Sequence, residues 1–185
     1  MQERESHSSG RRKAVFFDRD GVVNVSPGGG YVSTWKDFRF TPGIDEVLWL
    51  CRLRGFLTVL ITNQRGVFTG ETSLDDLHEI HHRMQSALAK KRSAFDAIYM
   101  ATGDRDDPRR KPAATMFQEA AAELGLDLSG SVMVGDHDRD IEAARASGLS
   151  TAVRYLGAHP VGVEADHTVA SAGELLALLE KVLVP

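Results

Sequence analysis

The sequence predicts an α/β fold: a doubly wound, mostly parallel sheet with helices packed on both faces. Three observations carry that prediction. Short apolar runs recur along the chain without polar alternation, as strands buried on both faces require. Amphipathic stretches of helical period separate those runs. Capping residues and glycines then punctuate the boundaries between them.

The elements follow in order. Residues 1–12 are polar and lack periodicity, so they read as a disordered tail ahead of a single domain over residues 13–185. Ala14-Val15-Phe16-Phe17 is the first strand. Thr41 and Pro42 suit a helix cap and a first helical position, opening a helix through Leu53 that Gly55 ends. Phe56 to Ile61 is the second strand. Ser73 caps a long helix whose apolar stripe is Leu74, Leu77, His81, Met84 and Leu88. Phe95 to Met100 is the third strand, and Ala113 to Leu124 the next helix, closed by Gly125. Ser131 to Val134 is the fourth strand, followed by a short helix from Asp138 or Arg139 to Ser147. Thr151-Ala152-Val153 and His167-Thr168-Val169 are two more strands, and Ser171 caps a last helix ending near Leu183. Residues 21–40 make an unusually long strand-to-helix connection containing Gly28-Gly29-Gly30, with room for a small hairpin or flap over a site.

Composition narrows the function. The 185 residues carry a formal net charge of −4, which argues against holding nucleic acid by bulk charge. Cys51 is the single cysteine, so no internal disulfide and no cysteine-rich metal centre can form. No apolar run nears the roughly 18 residues of a membrane span, and the run after Arg11-Arg12-Lys13 is too short for a signal-peptide core. The expectation is a cytoplasmic protein without a membrane partner, monomeric or a small homo-oligomer.

Ligands of such sheets bind outside the carboxyl ends of the strands. Those ends deliver Asp18-Arg19-Asp20-Gly21, then Thr62-Asn63-Gln64, then (past a loop) Arg109-Arg110-Lys111-Pro112, then Gly135-Asp136-His137-Asp138-Arg139-Asp140. Asp18 and Asp136 are hard oxygen donors suited to Mg²⁺. A carboxylate facing phosphorus can act as nucleophile, and a second carboxyl, Asp20, can protonate the leaving oxygen and later activate water. Lys111 and the Thr62 hydroxyl supply the positive charge and donor that phosphoryl oxygens need.

With these motifs in order, the chain resembles the haloacid dehalogenase-like (HAD) phosphatase superfamily over roughly residues 13–153. The Asp18-Arg19-Asp20-Gly21-Val22-Val23-Asn24 start, Thr62-Asn63-Gln64-Arg65-Gly66 and Arg110-Lys111-Pro112 are most similar to the D,D-heptose 1,7-bisphosphate and histidinol-phosphate phosphatases. The resemblance implies a Rossmann-like HAD core without a large cap domain. It also implies a Mg²⁺-dependent phosphomonoesterase acting through an aspartyl-phosphate on a small phosphorylated metabolite. Asp18 is then the nucleophile and Asp20 the acid and base. Asp18, Asp20 through its main-chain carbonyl, and Asp136 are the metal ligands. Thr62 and Lys111 steady the phosphoryl group. Asn24, Asn63, Gln64 and Arg110 bind substrate, as does His137 by its position near it, and Asp140 orients Lys111 or completes the surroundings of the metal ligands. A phosphorylated sugar such as D-glycero-D-manno-heptose 1,7-bisphosphate is the first expectation, histidinol phosphate the second and a polynucleotide 3′-phosphate the third.

Two departures bear on substrate. The relatives carry a Cys/His zinc loop before Arg-Lys-Pro, whereas residues 100–109 here contain neither Cys nor His, so no structural zinc is expected there. His137 follows Asp136 where the heptose enzymes commonly have another acid or a Lys. Competing readings are weaker. His78-Glu79-Ile80-His81-His82 fits the H-E-x-x-H zinc-protease pattern, but no third ligand is evident and an amphipathic helix explains it. A phospho-acceptor signalling module would want its acceptor after the third strand, where Met100-Ala101-Thr102-Gly103 offers none.

Overall fold

A computed structural model describes residues 11–184. Six strands form one sheet: β1 (Ala14–Phe17), β2 (Leu57–Asn63), β3 (Ala97–Ala101), β4 (Val132–Gly135), β5 (Thr151–Tyr155) and β6 (His167–Val169). Their spatial order is β3-β2-β1-β4-β5-β6, and each neighbouring pair is parallel. The helices are α1 (Ile44–Leu53), α2 (Leu74–Ala89), α3 (Thr115–Leu124), α4 (Asp138–Ala146) and α5 (Ala172–Val182). The chain starts mid-sheet, winds outward through β2 and β3, then crosses back to β4. β1 and β4 are therefore adjacent at the switch in winding direction, where a crevice opens beyond their carboxyl ends.

β1 shows why its run is apolar throughout. Val15 and Phe17 join the core on one face, and Ala14 and Phe16 join the core on the other. Phe16 packs on Phe117 of α3 with ring centroids 5.0 Å apart, and Phe17 packs on Phe95 at 6.0 Å. Full burial of each ring is worth about 1.5–3 kcal/mol. This grip holds the strand whose next residue is Asp18.

Most helix boundaries lie where the sequence puts them. Ser73 caps α2 by accepting from the Asp76 amide, and Ser171 caps α5 by accepting from the Glu174 amide. Gly125 ends α3 in the left-handed region. Three expectations need correction. Helix α1 starts at Ile44 behind Gly43, whose φ of 82° takes the left-handed region, and the Thr41 amide donates to the Val23 carbonyl at 3.0 Å. Leu74 is 45% exposed, and Ile80 takes its place on the buried stripe of α2. The flap over residues 21–40 is no regular hairpin. One antiparallel bridge, Asn24 to Phe40, closes it, and Trp35, stacked on Phe38 with centroids 5.0 Å apart, anchors it.

The tail expected over residues 1–12 lies outside the described residues up to residue 10. Arg12 is already tied in, bridged to Leu126 and donating to the Leu124 carbonyl at 2.8 Å. No helix is long and apolar enough to cross a membrane among the described residues.

Candidate active site

The crevice at the β1–β4 switch gathers the chemistry. Asp18 follows β1 and Asp136 follows β4, and the backbones are clasped by the Asp18 amide donating to the Val134 carbonyl at 3.0 Å. Asp18, Asp136 and Asp140 are buried and present ligand oxygens within 4.8 Å of one another. Gly21, with φ at 89°, and Gly135 allow this convergence. A Cβ on Gly21 would collide with the Asp136 carboxylate, and one on Gly135 with Asp140.

Lys111 is the cation buried among these acids. Its Nζ lies 2.8 Å from Asp18 Oδ1 and 2.7 Å from Asp140 Oδ1, and donates to the Ile61 carbonyl at 2.8 Å. An ammonium has three protons, and all three are committed here. Lys111 thereby holds Asp18 in place. Asp140 does orient it, as expected. Burial alone would lower the Lys111 pKa, but Asp140 and Asp18 outweigh it and hold the ammonium charged.

One ammonium does not neutralise three carboxylates. Burial, then the neighbouring Asp18 and Asp140, push the Asp136 pKa up. Burial also raises Asp18, against the pull of Lys111. Asp136 Oδ2 is buried without a hydrogen-bond partner. A buried carboxylate oxygen without a donor, in a site of net negative charge, fits a cation. The donor set is all oxygen, which suits a hard divalent ion such as Mg²⁺.

The Asp20 carboxylate lies outside that acidic cluster. Its side chain lines the cleft but is bound by Arg19 Nη2 at 3.0 Å, Gln64 Nε2 at 2.9 Å and Asn24 Nδ2 at 3.0 Å. Burial works against the charge, yet Arg19 and these amides win and hold the Asp20 pKa below its ordinary value. Its main-chain carbonyl accepts no backbone hydrogen bond among the described residues, so that atom stays available to a cation. Arg19 is itself fully buried and touches His81 Nε2 at 3.4 Å. Burial and then Arg19 depress the His81 pKa to about 3, leaving a neutral acceptor. His78 and His82, by contrast, are exposed on α2, which leaves the protease pattern without a site.

Other expected substrate contacts are redistributed. Asn24 is fully buried and Gln64 nearly so, and both amides are spent on Asp20. They are buried because each faces inward from a turn toward that carboxylate. Gln64 also donates to Thr62 Oγ1 at 2.8 Å, which leaves the Thr62 hydroxyl proton free to donate. Asn63 lines the cleft while its amide pairs twice with the Lys111 backbone, both at 3.0 Å. His137 is turned to capping: its Nδ1 accepts from the Arg139 amide, and the Asp140 carboxylate accepts from the His137 amide. Asp138 holds the loop after β5. It accepts from the Gly162 and Val163 amides and from Arg154.

Three cleft residues escape the sequence reading: Tyr31, Arg139 and His159. His159 Nε2 is 3.7 Å from Asp136 Oδ2, and its ring packs on His137. Reading the carboxyl end of β5 along with the first four strands was the signal that would have found it. Ser26 through Tyr31 form the flap side of the cleft. Residues 102–110 are held without Cys or His. Arg65 pairs with Asp104 at 2.7 Å, and Asp107 accepts from the Gly103 and Arg109 amides.

The HAD-hydrolase-like family model matches residues 108–171. A D-glycero-beta-D-manno-heptose-1,7-bisphosphate 7-phosphatase from Vibrio cholerae is 35% identical over 159 residues, covering 81% of this chain and 84% of that protein. A D-glycero-D-manno-heptose-1,7-bisphosphate 7-phosphatase from Thermosynechococcus vestitus is 37% identical, covering 74% of this chain and 76% of its own. Among solved structures, the D,D-heptose 1,7-bisphosphate phosphatase of B. bronchiseptica, complexed with magnesium and phosphate, superposes with a TM-score of 0.82. It is 29% identical and covers 91% of this chain and 98% of that one.

Proposed function

The chain belongs to the HAD-like phosphatases, in the family of the heptose-1,7-bisphosphate 7-phosphatases, and we propose that it hydrolyses a phosphomonoester of D-glycero-D-manno-heptose 1,7-bisphosphate through an aspartyl-phosphate on Asp18. The observation that carries this reading is the Lys111 bridge between Asp18 and Asp140 beside the unpartnered Asp136 oxygen.

Lys111 binds Asp18 Oδ1 and leaves Oδ2 to attack phosphorus. The new Asp18–phosphorus bond forms as the ester bond to the sugar oxygen breaks, and Asp20 gives that oxygen its proton. Arg19, Gln64 and Asn24 hold Asp20 ionised before substrate arrives, so it must first gain a proton. The approach of a phosphate dianion favours that uptake. In the second step the Asp20 carboxylate takes a proton from water, water bonds to phosphorus, and Asp18 is released with inorganic phosphate. The Thr62 hydroxyl donates to a phosphoryl oxygen throughout. Mg²⁺, held by the Asp18 carboxylate, the Asp20 main-chain carbonyl and Asp136, supplies positive charge that offsets repulsion between carboxylate and phosphate.

The test compares kcat/KM for heptose 1,7-bisphosphate, histidinol phosphate and a 3′-phosphorylated oligonucleotide, each with Mg²⁺ and with excess EDTA. The heptose bisphosphate should lead, and EDTA should stop turnover. A lead for either other substrate, or turnover insensitive to EDTA, overturns the reading.

A further inference from the structure

The histidine-rich stretch of α2 has one buried member, His81, between the exposed His78 and His82. The buried face of that helix is Leu77, Ile80, His81, Met84 and Leu88, so His81 is its single polar side chain. An imidazole on an apolar stripe gives up its hydration and needs a partner to offset the loss. Its partner is Arg19, whose Nη1 lies 3.4 Å from His81 Nε2. A guanidinium only donates, so Nε2 accepts and the ring proton sits on Nδ1. Burial and then Arg19 hold the His81 pKa at about 3, which agrees with a neutral acceptor.

Arg19 is fully buried, and His81 is the acceptor for its Nη1 among the described residues. The Arg19 carbonyl accepts from the Val22, Val23 and Asn24 amides at 3.4, 2.9 and 3.0 Å, which fixes the turn after Asp18. The other edge of the guanidinium forks onto Asp20: Nε reaches Oδ1 at 3.2 Å, and Nη2 reaches Oδ2 at 3.0 Å. Asn24 and Gln64 each hold one oxygen, but two parallel bonds from one rigid plane also set the plane of the carboxylate. A guanidinium that bridges α2 and Asp20 is aimed only while both of its edges are engaged. Without His81, Nη1 would be a buried donor lacking an acceptor.

We infer that His81 and Arg19 are positioning residues for Asp20: His81 holds the guanidinium, and the guanidinium fork sets the Asp20 carboxyl toward the leaving oxygen in the first step and toward water in the second. The inference rests on the phosphatase reading above, in which Asp20 transfers the proton, and goes beyond it in naming what aims that residue. The proton passes only between Asp20 and the sugar oxygen or water; Arg19 and His81 keep theirs throughout.

The experiment exploits the leaving group. A sugar alkoxide needs a proton as it departs, whereas p-nitrophenolate leaves without one, and kcat/KM reports the steps through the first displacement. Both constants are measured with Mg²⁺ on heptose 1,7-bisphosphate and on p-nitrophenyl phosphate, for the full chain, His81→Leu, His81→Gln and Arg19→Lys, with thermal melting alongside. In His81→Leu, kcat/KM on the sugar should fall about tenfold or more, through kcat, with KM within about twofold; on p-nitrophenyl phosphate it should fall by no more than about threefold. His81→Gln can put an amide oxygen where Nε2 stands and should recover most of the sugar rate. Arg19→Lys keeps the buried charge but loses the fork, so it should show the same split; it carries the comparison if His81→Leu does not fold. A purely structural role would lower both substrates by one factor, in step with the melting temperature. Equal losses on the two substrates, a His81→Leu protein at the wild-type rate on the sugar, or no recovery in His81→Gln overturns the inference and leaves the phosphatase reading standing. A wild type that hydrolyses neither substrate overturns the phosphatase reading instead.

Discussion

The floor and the mouth of the cleft are built on opposite principles. On the floor, charged groups hold one another: Lys111 bridges Asp18 and Asp140 and donates to the Ile61 carbonyl, Asp140 accepts from the His137 amide, and Asp20 takes donors from three side chains. These groups sit at the ends of buried strands, so packing on both faces of the sheet fixes them. At the mouth, the supports are the flap of residues 21–40, the 102–110 loop and the loop after β5. There Arg65 and Arg109 pair with Asp104 and Glu119, while Arg110 and Arg139 make no ion pair among the described residues. On the reading proposed above, strand ends carry the reaction, and the loops at the mouth choose the substrate.

The largest expected effect breaks the floor. Lys111→Met leaves Asp18 and Asp140 buried without their cation. Removing one partner of a buried pair costs about 3–5 kcal/mol, and turnover should fall by roughly a hundredfold or more because Asp18 is no longer aimed. Denaturant unfolding and p-nitrophenyl phosphate kinetics measure the two losses. A stable, active Lys111→Met protein would place the floor's rigidity elsewhere.

A smaller effect concerns charge on the floor. The Asp136 pKa is raised on folding, so its contribution to stability is present below the ordinary carboxylate value and lost as pH rises through the folded value. Without metal the chain should therefore lose this contribution on going from about pH 5 to about pH 8. Mg²⁺ should raise the melting temperature more at the higher pH, where the carboxylates are ionised and no proton must be displaced. Equal Mg²⁺ shifts at both values would contradict the raised pKa.

The smallest effect belongs to the mouth. The Arg65–Asp104 pair that pins the 102–110 loop is partly exposed, with side chains 30% and 34% accessible. Asp104→Asn should raise KM by about two- to fivefold and leave kcat within about twofold. A large fall in kcat would mean the loop reaches the floor, and the contrast between the regions would fail.

The same division sets how much the sequence reveals. Strand runs, Ser73, Ser171 and Gly125 are local signals, and the structure puts them where the sequence does. The four strand ends converge because a parallel sheet makes them converge. The start of α1 is not local: the Thr41 amide donates to the Val23 carbonyl across the flap, and Gly43 precedes the helix in the left-handed region. Asn24 and Gln64 have the residue types of substrate contacts, but residue type does not say which way an amide faces. Both face Asp20. Arg139 sits within a charged turn in the sequence, and only the fold puts it on the lining of the cleft. His159 comes from the end of β5, where no motif points.

The central claim is that Asp18 is covalently phosphorylated during turnover, and the stereochemical course at phosphorus tests it most directly. With a substrate made chiral at the phosphoryl group, two successive displacements retain configuration, and a single attack by water inverts it. The account predicts retention, with Asp18→Asn inactive. Inversion, or an Asp18→Asn protein that turns over at the wild-type rate, would contradict it.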